Sequence, residues 1–324
     1  MVVFTQFESL TEEDEEIVNG EEYVQTPFGL LPRECVLRVP TGTHIQETEE
    51  GFIHLTNDQE NFVKRVARNE KCDRKNPTKL LKTWIDNGGW TIPDGLTLQK
   101  FEGNYKVPND PQLKSNQILY YFIGSQNNDG SGPGISIIQP VLTFRYNKWF
   151  FQSWNCCPQG MAINSSPVGN VKAGDTLYGS VEIVDDKVTI VSQNSEGQSS
   201  TLSVSREDRN FNWIDATLEV YKIISCKNFP TEYLEYSNMN VTLSNGQSVQ
   251  PQWEDQYGNS MCNGRTIYEC IVNLLRSYGQ FFQIKTQSQI DTKVRHNQFY
   301  EGAQYLEQQP NLFKQVVENH FQYL

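Results

Sequence analysis

The sequence predicts a mainly β protein: a two-sheet antiparallel β-sandwich or jelly roll, concanavalin-like, with an extension at each end. Three observations predict it. From Trp84 to Ile224 at least eight short apolar or alternating runs follow one another, separated by turn residues. Aromatic residues reach 12% of the 324 residues, which suits strands with one packed face. The run from Ile135 to Phe144 is almost wholly apolar and follows the Gly-rich stretch Asp129 to Gly134. Its length and bounding loop read as a strand buried on both faces, central in its sheet.

The elements follow in order. Residues 1–30 are acidic, with Glu12, Glu13, Asp14, Glu15, Glu16, Glu21 and Glu22. They read either as a solvated tail or as a segment packed over the domain that shields a site. A hairpin-helix extension is expected over 31–84. In it Glu34 to Pro40 pairs with Gly51 to Thr56, and Asn57 or Asp58 caps a helix to about Asn69 with Phe62, Val63 and Val66 on one face. The jelly roll occupies 85–262. Its runs begin with Trp90 after Gly88-Gly89, then Leu96 to Val107 and Ile118 to Ile123. After Phe144 come Lys148 to Asn155, Thr176 to Val184, Lys187 to Gln193, Ser200 to Ser205 and Asn212 to Ile224. Asp185-Asp186 and Glu196-Gly197 mark hairpin turns. Over 263–324 a mostly helical extension is expected, with apolar Ile267, Cys270, Ile271, Leu274 and Leu275 at helical spacing, a strand near Gln280 to Thr286, and helices near 294–307 and 310–323.

Composition excludes several classes. The formal net charge is −12 and Lys/Arg blocks are confined to 64–82, so no nucleic-acid partner is expected. No stretch approaches the roughly 20 apolar residues of a membrane-spanning helix. The opening residues Met1 to Phe7 do not read as a secretory signal. The four histidines are scattered without ligand spacing, and Cys156-Cys157 has no Cys-x-x-Cys spacing, so neither a metal nor any other cofactor is expected. Seven cysteines, an odd number, leave two readings: reduced or buried thiols, or a bridge such as Cys226 to Cys262. No nucleophile-elbow, Walker or dinucleotide glycine motif appears.

One polar side chain stands out. Gln139 lies in the middle of the apolar run, and a buried amide is costly unless its donors and acceptor are partnered. It is therefore either a satisfied structural amide or a group placed for chemistry. On the run Ala216 to Ile223, alternation puts Thr217, Glu219 and Tyr221 on one face and Ala216, Leu218 and Val220 on the other. If this strand shares a sheet with Gln139, Glu219 and Gln139 stand on one wall. A Glu beside a Gln is a workable hydrolytic pair: the carboxylate takes a proton from water, and the amide donates to the developing oxyanion.

The order of motifs resembles the glutamic peptidases (eqolisins). Five pieces carry the resemblance: Gly89-Trp90 through Gly103-Asn104-Tyr105-Lys106-Val107-Pro108; Tyr121-Phe122-Ile123-Gly124; Ile137-Ile138-Gln139; Gly174-Asp175-Thr176 with Glu196-Gly197-Gln198-Ser199; and Leu218-Glu219-Val220. The resemblance spans about 85–260, and the whole 30–260 arrangement, with its Arg33-Glu34-Cys35-Val36 and Val39-Pro40-Thr41-Gly42 start, also resembles uncharacterised fungal and amoebal proteins. It implies a jelly roll acting as an acid endopeptidase, with Glu219 as general base and then acid, and Gln139 stabilising the oxyanion. It implies a polypeptide substrate and an extracellular or acidic compartment. Phe122, Gln126, Trp154 and Tyr221 are the candidate groove residues. Gln126 stands where the family has Asp, and Ser153 stands where it has a carboxylate beside the Trp. The alternative is a non-catalytic jelly-roll module binding carbohydrate or peptide.

Overall fold

The computed structural model describes residues 15–18, 21–57, 62–67, 69–72, 83–156, 160–232, 234–255 and 281–284. Their strands, in chain order, are β1 (Glu15–Val18), β2 (Glu21–Thr26), β3 (Gly29–Pro32), β4 (Val36–Val39), β5 (Thr43–Glu47), β6 (Phe52–Thr56) and β7 (Phe62–Ala67). They continue with β8 (Trp84–Thr91), β9 (Leu98–Lys106), β10 (Ile118–Gln126), β11 (Ile137–Arg145), β12 (Lys148–Cys156), β13 (Ala162–Ser165), β14 (Thr176–Val184) and β15 (Lys187–Gln193). The last are β16 (Ser199–Ser205), β17 (Trp213–Tyr221), β18 (Leu234–Leu243), β19 (Ser248–Val249), β20 (Glu254–Asp255) and β21 (Phe281–Ile284).

The strands form the predicted sandwich. One sheet has the order β20-β8-β17-β10-β11-β12-β13-β4, and the other runs β19-β18-β9-β14-β15-β16-β5-β6-β7 with β21 added beside β18. Neighbours are antiparallel except β13 with β4 and β16 with β5. The apolar run is β11, placed between β10 and β12 in the interior of its sheet. Tight turns join the hairpins where the sequence marks them: Asp185 takes a φ of 54° and Gly197 a φ of 82°.

The two faces of the first sheet have different neighbours. Its inner face packs on the second sheet. Ser153 Oγ reaches the Ile190 and Ser200 carbonyls and the Ser192 hydroxyl across that interface. Tyr105 of β9 donates to the Pro140 carbonyl and accepts from the Ile123 N–H, so one phenol bridges β10 and β11 beside a proline that has no N–H to give. Alternation then places Gln139, Trp154, Gly124, Asp215, Thr217 and Glu219 on the outer face. That face is covered too. Strands β1, β2 and β3 make a small sheet of their own, and Phe28, in the turn between β2 and β3, meets the Trp154 ring edge-on at 6.0 Å.

Two expectations for the N-terminal extension are corrected. The segment expected to form a helix from Asn57 to Asn69 contains strand β7, antiparallel to β6. Val63 and Val66 are β-branched, and an edge strand was open at β6; such a short apolar run is ambiguous between helix and strand on spacing alone. The expected hairpin between 34–40 and 51–56 is also not made. Strand β4 joins the first sheet, while β6 pairs with β5 in the second. The cysteines are not all thiols: Cys35 and Cys72 form a disulfide with Cα atoms 5.5 Å apart, and Cys156 and Cys226 are also disulfide-bonded. Of the expected C-terminal elements, the strand near 280–286 is present as β21; the expected helices lie outside the described residues.

Candidate functional site

The site is a row of side chains across the outer face of the first sheet. Gln139 is directly opposite Trp154 on β12, and Trp154 is opposite Asn164 on β13. On the other side β10 intervenes, and there the row passes through Gly124, whose partner on β17 is Asp215. A Cβ on Gly124 would lie 2.9 Å from Asp215 Oδ1 and 3.4 Å from Gln139 Cβ. The missing side chain therefore leaves open the space between Asp215 Oδ1 and the base of the Gln139 side chain, on strands two apart. In a sheet, residues on non-adjacent strands are normally separated by the side chain between them.

Polar groups in this row, and Asn87 one step along β8 opposite Thr217, have atoms left unpaired. Among the described residues neither polar atom of Gln139 has a hydrogen-bond partner, nor do Asp215 Oδ1, Trp154 Nε1, Asn164 Nδ2 and Asn87 Oδ1. Gln139, Asp215, Asn164 and Asn87 are all fully buried. Folded chains pair the great majority of buried polar groups, so a line of such atoms on one face marks a place shaped for something other than packing. The remaining atoms are well held. Asn87 Nδ2 donates to Thr217 Oγ1, which in turn donates to Asp215 Oδ2, and Asn87 Nδ2 also lies 3.4 Å from Asp215 Oδ2. Asn164 Oδ1 accepts from Arg38 Nε at 3.3 Å.

Burial pushes the Asp215 carboxyl up to about 7 from the ordinary 3.8, against the smaller opposing effect of the Thr217 hydroxyl. Aromatic rings share the face. Phe122 meets Trp84 edge-on at 5.8 Å, and Trp84 stacks on Trp213 at 6.3 Å. Among the described residues no cluster of three or more His, Cys, Asp or Glu side chains is placed to hold a metal ion.

The structure brings together some of the residues named from sequence and separates others. Gln139 and Trp154 are neighbours, and Phe122 lies one step along β10 on the same face. Glu219 is in the same sheet and on the same face, but its cross-strand partner is Tyr120, which in turn faces Thr143. Thr143 is four residues along β11 from Gln139, an offset of about 13 Å. Glu219 and Gln139 therefore do not form a pair. Glu219 is instead fully buried among hydroxyls, accepting from Thr83 at 3.0 Å and from Tyr221. Burial and the neighbouring Glu219 charge push the Tyr221 phenol up, so it remains a donor. Gln126 ends β10 opposite Trp213 and binds Asn128. Ser153, where a carboxylate was expected, points to the second sheet, so a carboxylate there would not reach the row. Asp215 was missed from sequence. The signal for it was present: it lies two residues before Thr217, so strand alternation puts it on the face already assigned to Thr217 and Glu219.

The fold and site define a β-sandwich with an amide–carboxyl row across one sheet. Scytalido-glutamic peptidase in complex with a transition-state analogue is similar, at 14% identity and a TM-score of 0.41, over 54% of this chain and 87% of that one. The eqolisin SCP-B in complex with the tripeptide Ala-Ile-His is similar at 15% identity and a TM-score of 0.40, over the same shares. Chicken galectin 2 is similar over 43% of this chain and 96% of its own, at 11% identity and a TM-score of 0.25. These likenesses are of fold and assign no residue. No protein-family model matches the sequence, and no curated protein matches it.

Proposed function

We propose that the chain is a hydrolase of polypeptides for which Asp215 and Gln139 are the reacting pair. The observation that carries this reading is the approach of both side chains to Gly124, with both Gln139 amide atoms and one Asp215 carboxyl oxygen unpartnered among the described residues. The ionised Asp215 takes a proton from a water molecule in the shared space, and that water attacks the peptide carbonyl. The Gln139 amide donates to the oxyanion that forms, a contribution of about 3 kcal/mol when such a donor is preorganised. The protonated Asp215 then gives its proton to the leaving amine. Thr217 and Asn87 fix which carboxyl oxygen faces the substrate. This keeps the amide–carboxylate plan implied by the glutamic-peptidase resemblance, with an Asp at the other end of β17 in place of Glu219. The disulfides favour an oxidising compartment as the place of action.

The test is cleavage of a denatured protein across weakly acid pH. Asp215→Asn and Gln139→Met are each expected to reduce turnover by roughly a hundredfold or more, while Glu219→Gln retains it. Loss on Glu219→Gln with retention on Asp215→Asn would restore the Glu219 reading and end this one.

A second reading is a non-catalytic site for a carbohydrate or peptide. Trp154 flanked by the Gln139 amide and the Asn164 Nδ2, which have no partner among the described residues, favours it, since an aromatic face with amides around it suits a polyhydroxyl or peptide ligand. Glycan and peptide array binding that survives Asp215→Asn but not Trp154→Ala, with no cleavage by the wild type, would select it.

A further inference from the structure

We infer that the β2–β3 hairpin is a displaceable cover, which occupies the groove in place of a polypeptide and must leave before one enters. This regulation rests on the proposed site but not on its chemistry.

The hairpin is seated over the row itself. Phe28, 1% exposed, packs edge-on against Trp154, the residue directly opposite Gln139. One residue before β2 ends, the Gln25 carbonyl accepts from the Tyr120 hydroxyl at 3.1 Å and from Arg145 Nη1 at 3.4 Å, both on the outer face of the first sheet. In this arrangement Gln139, beside the covered Trp154, and Asp215, further along the same row, are wholly buried.

Two observations distinguish a cover from permanent core. First, the row stays unsatisfied with the hairpin seated on Trp154: among the described residues both Gln139 polar atoms, Trp154 Nε1, Asn164 Nδ2 and Asp215 Oδ1 have no hydrogen-bond partner. A segment that belonged there permanently would be expected to meet such groups, as buried segments do. A different occupant, with its own amides and carbonyls at that depth, would meet them. Second, the hairpin adds no strand to either large sheet; among the described residues β2 and β3 pair only with each other and with β1. Its chain connection lies just beyond β3, where the Cys35–Cys72 disulfide anchors the turn leading into β4. The hairpin can thus lift as a unit while the anchor holds, so the covering copy stays at high effective concentration over its own groove.

The experiment uses the full chain and a fluorescent synthetic peptide with the sequence of residues 21–32. The wild-type chain is expected not to bind it, because the tethered copy competes. Phe28→Ala weakens the tethered copy and is expected to bind the peptide at least ~10-fold more tightly than wild type. A peptide carrying the same Phe-to-Ala change should not bind. Phe28→Leu, a milder loss of packing, should fall between and serves if the alanine variant does not fold. Equal binding to wild type and to a folded variant, or no binding to either variant, overturns the cover. Cleavage is read in parallel. Peptide binding to Phe28→Ala with no cleavage by any chain keeps the cover and removes the hydrolase reading. Equal cleavage by wild type and variant with no peptide binding removes the cover and keeps the hydrolase.

Discussion

Replacing Asp215 by Asn removes a group whose protonation depends on being dry. In the folded chain its carboxyl is held at about 7 rather than 3.8, because burial penalises the charged form. Between these values the folded chain keeps a proton that the unfolded chain has released. The stability Asp215 contributes is therefore full below about 3.8 and is lost as the pH rises to about 7. The difference between the two values corresponds to about 4 kcal/mol. Asn is uncharged throughout and buries no titrating group, so the variant lacks this dependence. Urea unfolding of both chains at about pH 4 and about pH 8 measures it, since the contributions of all other carboxyls cancel in the comparison. The variant is expected to gain about 4 kcal/mol on wild type between those conditions. Parallel stability curves for the two chains, or a gain in the opposite direction, would refute the argument that Asp215 sits dry and largely unpaid by hydrogen bonds.

Other outcomes follow from the same geometry. Gly124→Ala puts a methyl 2.9 Å from Asp215 Oδ1; the carboxylate must turn aside, with a modest stability loss of about 1 kcal/mol by thermal melting and a fall in turnover of roughly a hundredfold in a cleavage assay. Glu219→Gln replaces the carboxyl that accepts from Thr83 and Tyr221 by an amide with one acceptor oxygen, so denaturant unfolding should show a loss of about 1–3 kcal/mol while turnover per folded molecule changes little. Replacing Cys35 and Cys72 together by Ala opens a loop with a sequence separation of 37, a loss of about 4 kcal/mol on the chain-entropy account; a calorimetric melt unchanged from wild type would contradict it.

Much of the sandwich was legible before the structure, and the reasons are local. Alternation with turn residues at Asp185 and Gly197 fixes a hairpin without reference to the rest of the chain. The Ile135 to Phe144 run announces an interior strand because only such a strand is apolar on both faces. Strands β13 and β18 were not foreseen: the first is four residues long, and the second carries Ser237, Asn238 and Asn240 among its apolar residues. The site was half legible. Gln139 is conspicuous in any apolar run, but its partner depends on the register of β17 against β10 and of β10 against β11. Alternation tells which residues share a face and not which share a row. Thr217, Glu219 and Tyr221 were placed on the right face, and the choice of Glu219 over Asp215 followed the motif resemblance. Gly124 is where the row is decided, and a glycine's significance there is visible only once its two neighbours are known.

Closure by the hairpin has a consequence for timing. In the closed molecule burial keeps Asp215 in its protonated form below about 7, and a protonated carboxyl accepts no proton from water. Lifting the hairpin admits both ligand and solvent, and solvent lowers the cost of the charge. Access and ionisation are then gained in a single movement, so a closed molecule is unreactive twice over: its groove is occupied, and its base is already spent on a proton.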